Sequence, residues 1–130
     1  MKKLLYFLAI VLIIPACKKS EGPGGTGVIK GKVNVEIYSG SVSTGVIIPG
    51  ADVDVYIIYG GENTFYDDKI TTSYDGSFEF RYLRKGDYKI FVYSKDVDNS
   101  SDGALEPIFA TGTISNNNET IDVGTIEIDD

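Results

Sequence analysis

The sequence predicts an all-β domain, and three observations carry that prediction. From Val28 onward apolar and polar residues alternate with a period of two, the spacing of strands with one buried face. Pairs rich in glycine and proline interrupt these runs at Pro49-Gly50, Gly60-Gly61, Asp75-Gly76 and Lys85-Gly86. No stretch after Ile14 has helical periodicity. Around seven short strands with turns between them read as a β-sandwich.

The elements follow in order. Ile29, Gly31, Val33, Val35 and Ile37 alternate with Lys30, Lys32, Asn34 and Glu36, which predicts a first strand. Ser39 to Ile47 reads as a loop. Ala51, Val53, Val55 and Ile57 alternate with Asp52, Asp54, Tyr56 and Ile58 to give a second strand, followed by a loop from Gly60 to Lys69. A short strand is expected near Ile70 to Ser73. Phe78 and Phe80 alternate with Glu79 and Arg81; Tyr88, Ile90 and Val92 alternate with Lys89, Phe91 and Tyr93. A weaker strand falls near Pro107 to Ile114. The last strand carries Ile121 and Val123, then Ile126 and Ile128, and this step of three across Gly124 predicts a bulge.

The order of these blocks is also familiar. Gly31-Lys32-Val33, Ile48-Pro49-Gly50-Ala51-Asp52-Val53, Tyr74-Asp75-Gly76-Ser77-Phe78-Glu79-Phe80 and Leu83-Arg84-Lys85-Gly86-Asp87-Tyr88 resemble the carboxypeptidase regulatory-like family. The resemblance covers residues 28–130 and implies a seven-stranded Greek-key sandwich of the transthyretin (prealbumin-like) type. Each block has a physical role in that fold. Pro49-Gly50 turns the chain so that Ala51 enters a crowded core edge, and Asp75-Gly76 makes a tight hairpin turn with glycine at positive φ. Tyr88 offers a buried ring whose hydroxyl reaches a loop carbonyl. The family has no shared catalytic residues, and its members serve as accessory modules, transporter extensions and surface lipoproteins, so fold does not fix function.

The N-terminus speaks to location. Lys2 and Lys3 precede an apolar run from Leu4 to Ile14 that closes on Pro15-Ala16-Cys17, the anatomy of a secretory signal peptide. The run is too short to span a membrane, which takes ~20 apolar residues. A cysteine directly after a small residue resembles a bacterial lipoprotein signal, although Ile14 stands where leucine is commonest. That resemblance implies cleavage of residues 1–16 and lipidation of Cys17, with attachment to the outer membrane of a Gram-negative bacterium on its periplasmic or outer side. Lys18 to Gly27, rich in glycine, proline and serine, is expected to be a flexible tether between lipid and domain.

Composition narrows the chemistry. Without Lys2 and Lys3, ten basic residues face nineteen acidic ones, a net charge of −9. Such a surface repels nucleic acid and anionic headgroups, so the lipid alone is expected to touch the membrane. Cys17 is the only cysteine, so no internal disulfide forms, and histidine is absent. The usual nucleophilic triads and zinc ligand sets are thereby missing. Asp52 and Asp54 share a strand face rather than opposing walls of a cleft, and no enzyme activity or cofactor is expected. Calcium is the one metal to weigh, at Asp96 to Gly103, where oxygen ligands alternate along a glycine-containing loop. The spacing fails the EF-hand rule, because Gly103 is misplaced and Glu106 falls one short of the closing position. Asp67-Asp68 is a weaker candidate still.

The aromatic residues carry the sharper expectation. Tyr56, Phe91 and Tyr93 occupy the polar phase of their strands, where water-facing side chains belong. On adjacent strands they would form an exposed aromatic patch, the mark of a partner or ligand surface. The loops Ser39 to Ile47 and Gly60 to Lys69, with Tyr66 and Phe65, are expected to supply adaptable contacts at one end of the sandwich. The expected function is therefore a lipid-anchored, non-enzymatic module that binds an envelope protein partner or serves as an accessory subunit. The alternatives are a glycan- or calcium-binding surface module and a structural spacer.

Overall fold

The computed structural model describes residues 21–62, 64–98 and 103–130; the signal segment and Cys17 lie outside them. Among the described residues eight strands, not seven, follow one another: β1 (Pro23–Ser39), β2 (Val42–Pro49), β3 (Asp54–Tyr59), β4 (Asp68–Thr71), β5 (Ser77–Leu83), β6 (Gly86–Lys95), β7 (Leu105–Ile114) and β8 (Thr120–Asp129). The added strand is β2. Its Ser-Thr-Gly composition predicts a loop, but Gly40-Ser41 makes a two-residue hairpin turn with Gly40 at φ +65°, and the chain runs back along β1.

Two four-stranded sheets result. In one, β1 is central: β8 pairs with it in parallel along one side, and β5 and β2 pair antiparallel, end to end, along the other. The second sheet has the order β4-β3-β6-β7, all antiparallel. The core lies between them. Ile29, Val33, Val35, Phe78, Phe80, Leu83, Ile126 and Ile128 from the first sheet meet Val55, Ile57, Tyr88, Ile90, Val92 and Ile114 from the second. These are the apolar phases of the alternating runs, so the period of two maps onto one inner and one outer face per sheet.

Three local expectations resolve differently. Residues 23–27 of the expected tether belong to β1, and Gly22 before them is buried, while Lys18 to Ser20 lie outside the described residues. The glycines there serve close approach, not flexibility: a Cβ on Gly25 would stand 2.2 Å from the Leu83 carbonyl oxygen. Ala51 is exposed, and the crowded position is its neighbour Gly50, buried where a Cβ would meet Val33 at 2.9 Å. The Asp75-Gly76 turn is tight, with Gly76 at φ +79°, but it carries the chain from β4 in one sheet to β5 in the other, so it is a corner and not a hairpin. Asp75 fixes that corner by accepting bonds from Ser77 Oγ at 2.6 Å and Ser77 N at 3.0 Å, which hold its carboxyl below the usual range.

Two expectations are met in detail. The β1–β8 register steps from Lys30↔Asp122 to Lys32↔Thr125, leaving Val123 and Gly124 opposite Gly31 alone, with Gly124 at φ +82°. Tyr88 is buried, and its hydroxyl donates to the Arg84 carbonyl at 2.7 Å while accepting from Gly22 N at 3.0 Å. That one hydroxyl ties the incoming N-terminal segment to the β5–β6 turn. A hydrogen bond of this kind contributes about 1 kcal/mol, and losing it leaves buried partners unsatisfied.

Candidate functional site

The outer face of the β4-β3-β6-β7 sheet does not look like a solvated face. Cross-strand register sets Lys69 of β4 beside Tyr56 of β3, Tyr56 beside Phe91 of β6, and Phe91 beside Phe109 of β7. One row therefore crosses all four strands, and three of its four members are aromatic. Tyr56 and Phe91 stack with centroids 4.8 Å apart and planes 10° from parallel. Phe109 leans on Phe91 at 5.5 Å. Tyr93, two residues along β6, meets both Tyr56 and Phe91 edge-on at 5.5 Å.

The β3–β4 loop completes the cluster. Asp67 accepts a bond from Tyr59 N at 2.7 Å and its own N–H donates to the Ile57 carbonyl, so the loop is pinned back on β3. That anchoring brings Tyr66 edge-on to Tyr56 at 4.8 Å. Phe65 beside it is 83% exposed. The expected trio of Tyr56, Phe91 and Tyr93 is thus brought together by the fold, and Tyr66 joins it.

What covers the centre of the trio is the rings around it. Phe91 is only 6% exposed although it faces outward, because the rings of Tyr56, Tyr93 and Phe109 surround it. The rings that remain open are Tyr93 (43% exposed), Tyr66 (54%) and Phe109 (55%). Phe91 acts as the anchor and the other three as the contact surface. Packed ring pairs contribute roughly 0.5–1.5 kcal/mol each beyond area burial, so the cluster holds its shape without a ligand.

Charge frames one side of the row. Lys69 Nζ binds Asp54 Oδ2 at 3.1 Å and lies 5.9 Å from the Tyr56 ring centroid. The Asp54 carboxylate raises the lysine's pKa, and the Tyr56 hydroxyl is raised by desolvation and then by Asp54. Asp54 therefore serves a lysine on the sheet surface. Asp52 lies in the turn before β3 with φ 56°, not on the strand that the alternation predicted it to share with Asp54.

Sequence reasoning missed Phe109. Its signal was the same alternation, since Phe109 falls between Ile108 and Ala110, which pack toward the core. The calcium candidate is only partly visible, because residues 99–102 lie outside the described ones. Among the described residues no group of three carboxylates is placed to hold a metal. Asp67, the weaker candidate, is committed to the loop bond to Tyr59.

A broad depression lies on the opposite sheet. About 530 Å³ in volume, it is lined by Lys30, Lys32, Ser77, Glu79, Asp122 and Thr125. Register places Lys30 between Glu79 and Asp122, so opposite charges alternate across it. This is an ordinary solvated face with a bulge in it, and its size does not make it a better site than the aromatic row.

No family model and no curated protein matches the chain. Among solved structures, it is similar to a Pseudomonas aeruginosa protein proposed to bind carbohydrate, with a TM-score of 0.50 and 16% identity over 86% of this chain and 92% of that one. It is also similar to an (S)-allantoin synthase (TM-score 0.43, 14% identity, 76% of this chain) and to a 9R-lipoxygenase from Cyanothece (TM-score 0.41, 19% identity, 79% of this chain). It spans 41% and 16% of those two chains. The first likeness shows a shared β-sandwich fold.

Proposed function

We propose that this protein is a non-catalytic binding module of the transthyretin-like type, held at a bacterial outer membrane by lipid on Cys17, that docks an envelope protein through the outer face of its second sheet. The observation that carries the reading is the aromatic row. Five rings gather on a face where alternation calls for polar side chains, and three of them stay open to solvent. Aromatic side chains are enriched at protein interfaces because they bury much area at small entropic cost. The absence of histidine and of a free cysteine supports the non-catalytic part. The lipoprotein-like N-terminus supports the location.

Recovery of the full-length protein from native membranes after mild crosslinking tests this. One stoichiometric companion is expected, and it should be lost when Tyr93→Ser and Phe109→Ser are combined. Recovery of the protein alone would count against a protein partner.

A second reading is favoured by the fold likeness to the Pseudomonas protein. The same rings, with Lys69, Asp54 and Lys89 nearby, would then meet a glycan, tyrosine and phenylalanine standing in for the absent tryptophan. Retarded migration in native gels cast with polysaccharide, abolished by the same two substitutions, would move the assignment to that class.

A further inference from the structure

One strand is built unlike the rest. Val42–Pro49 (β2) carries no charged residue, whereas each of the other seven strands carries at least one. Edge strands of soluble proteins are guarded by charge, proline or bulges, because their free backbone groups otherwise recruit another chain. The edges elsewhere follow that rule: Asp68 and Lys69 on β4, Glu106 and Pro107 on β7, Glu79 and Arg81 on β5. On β2 the guards stand only at the two ends of a short window. At one end the register shifts at Thr44-Gly45, with Gly45 at φ +71°; at the other stands Pro49. Between them Val46, Ile47 and Ile48 are each about half exposed.

The backbone of the window is set by its pairing with β1. Gly50 N donates to the Val33 carbonyl, and the register runs unbroken from Asn34↔Pro49 to Ile37↔Val46. The N–H and C=O of a strand residue point to one side, and that side alternates along the strand. Ile48 and Val46 therefore turn their backbone to β1. Ile47 turns its N–H and C=O to the open edge.

We propose that this edge is the contact between two copies of the chain, paired antiparallel about a twofold axis through Ile47. Each Ile47 N–H donates to the other copy's Ile47 carbonyl, and Val46 of each copy lies beside Ile48 of the other. All three cross-strand pairs are β-branched and apolar, the combination that stabilises antiparallel pairing most simply. A second copy fits better than a foreign strand because the window is self-complementary about its own centre. It is also the one strand that an acidic chain can offer to another acidic chain without placing like charges opposite each other.

The guards then define the stoichiometry. The next outward-facing positions are Gly45, whose N–H is taken by Ser43 Oγ at 3.0 Å, and Pro49, which has no N–H. Pairing stops after one hydrogen-bonded ring, and an isologous contact consumes the edge of both copies, so assembly closes at two. The buried area is below that of a standard interface, and the dimer is expected to be weak and concentration-dependent.

Disulfide trapping in the purified processed protein tests the register directly. In a hydrogen-bonded pair the two Ile47 Cα atoms lie about 5.5 Å apart, within the span of a disulfide. Under mild oxidation Ile47→Cys should give at least tenfold more covalent dimer than Val42→Cys, whose two copies would stand roughly 30 Å apart along the strand. The unsubstituted protein reports any crosslinking through Cys17. Separately, sedimentation of the unsubstituted protein should show its mass rising toward two protomers with concentration, and Ile47→Lys should remain at one. Equal trapping at positions 42 and 47, no trapping at 47, or an unsubstituted protein that stays monomeric at about 1 mM would overturn the proposal. If the occupant were a foreign peptide, position 47 would not self-trap, and that result also rejects it.

Discussion

The two outer faces of this sandwich are built on the same pleat and teach opposite lessons. On the β1-centred sheet the outward row is Glu79, Lys30 and Asp122, with Ser77, Lys32 and Thr125 beside it. These are the residues that water selects. On the second sheet the equivalent row is Lys69, Tyr56, Phe91 and Phe109. Core formation asks for neither arrangement, since both sheets already bury a full inner face. The second row departs from what solvation asks for, and that departure is what carries information about function.

Substitution should separate the faces sharply. The largest effect belongs to the core between them: Ile90→Ala removes a fully buried side chain and should cost about 2–5 kcal/mol, lowering Tm by roughly 10 °C or more. Phe91→Ala, next in sequence but pointing outward, should also cost about 2–4 kcal/mol, because its neighbours bury it. Lys30→Ala at the equivalent place on the first sheet should stay within roughly 0.5 kcal/mol. Equal costs for Phe91 and Lys30 by chemical denaturation would erase the distinction.

Tyr88→Phe comes next, at about 1–3 kcal/mol, because Gly22 N and the Arg84 carbonyl lose their shared partner. It should also change the alkaline limb of stability. Burial raises the Tyr88 pKa above its ordinary value near 10, so the folded state holds the proton more tightly than the unfolded state. The stabilisation is complete below pH 10 and lost as pH rises through the folded value. Melting temperatures between pH 9 and 11 should therefore fall less steeply in Tyr88→Phe. They will not become flat, since Tyr56 and Tyr59 are shifted in the same direction.

Only a small change in stability is expected where the functional change is largest. Phe109→Ser and Tyr93→Ser touch half-exposed rings and should each cost about 1 kcal/mol or less while weakening capture of the partner. Lys69→Met breaks an exposed ion pair with Asp54 and should be close to silent in a melt.

Much of this was legible in the sequence, and the exceptions have physical causes. Alternation located seven of the eight strands and the aromatic trio, because a period of two is a direct record of which face is buried. It could not see β2, whose residues are exposed on both faces and so carry no alternation to read. Glycine misled in one place. Gly22, Gly25 and Gly27 look like tether, but they are small because Tyr59, the end of β5 and Ile114 press against them in turn. Phe109 was hidden for another reason: Pro107 and Glu106 made its strand look weak, although its place between Ile108 and Ala110 pointed outward. Tyr66 depends on a loop held by Asp67, and no local pattern reports where such a loop comes to rest.

The most direct test sets the two faces against each other in one experiment. Full-length protein carrying Tyr93→Ser with Phe109→Ser, and protein carrying Lys30→Ser with Lys32→Ser, would be recovered from native envelopes after identical crosslinking and compared with the unsubstituted chain. The account predicts that the companion is lost from the aromatic variant and retained by the lysine variant, with both melting near the unsubstituted protein. Equal retention by both, or loss from the lysine variant alone, would contradict it.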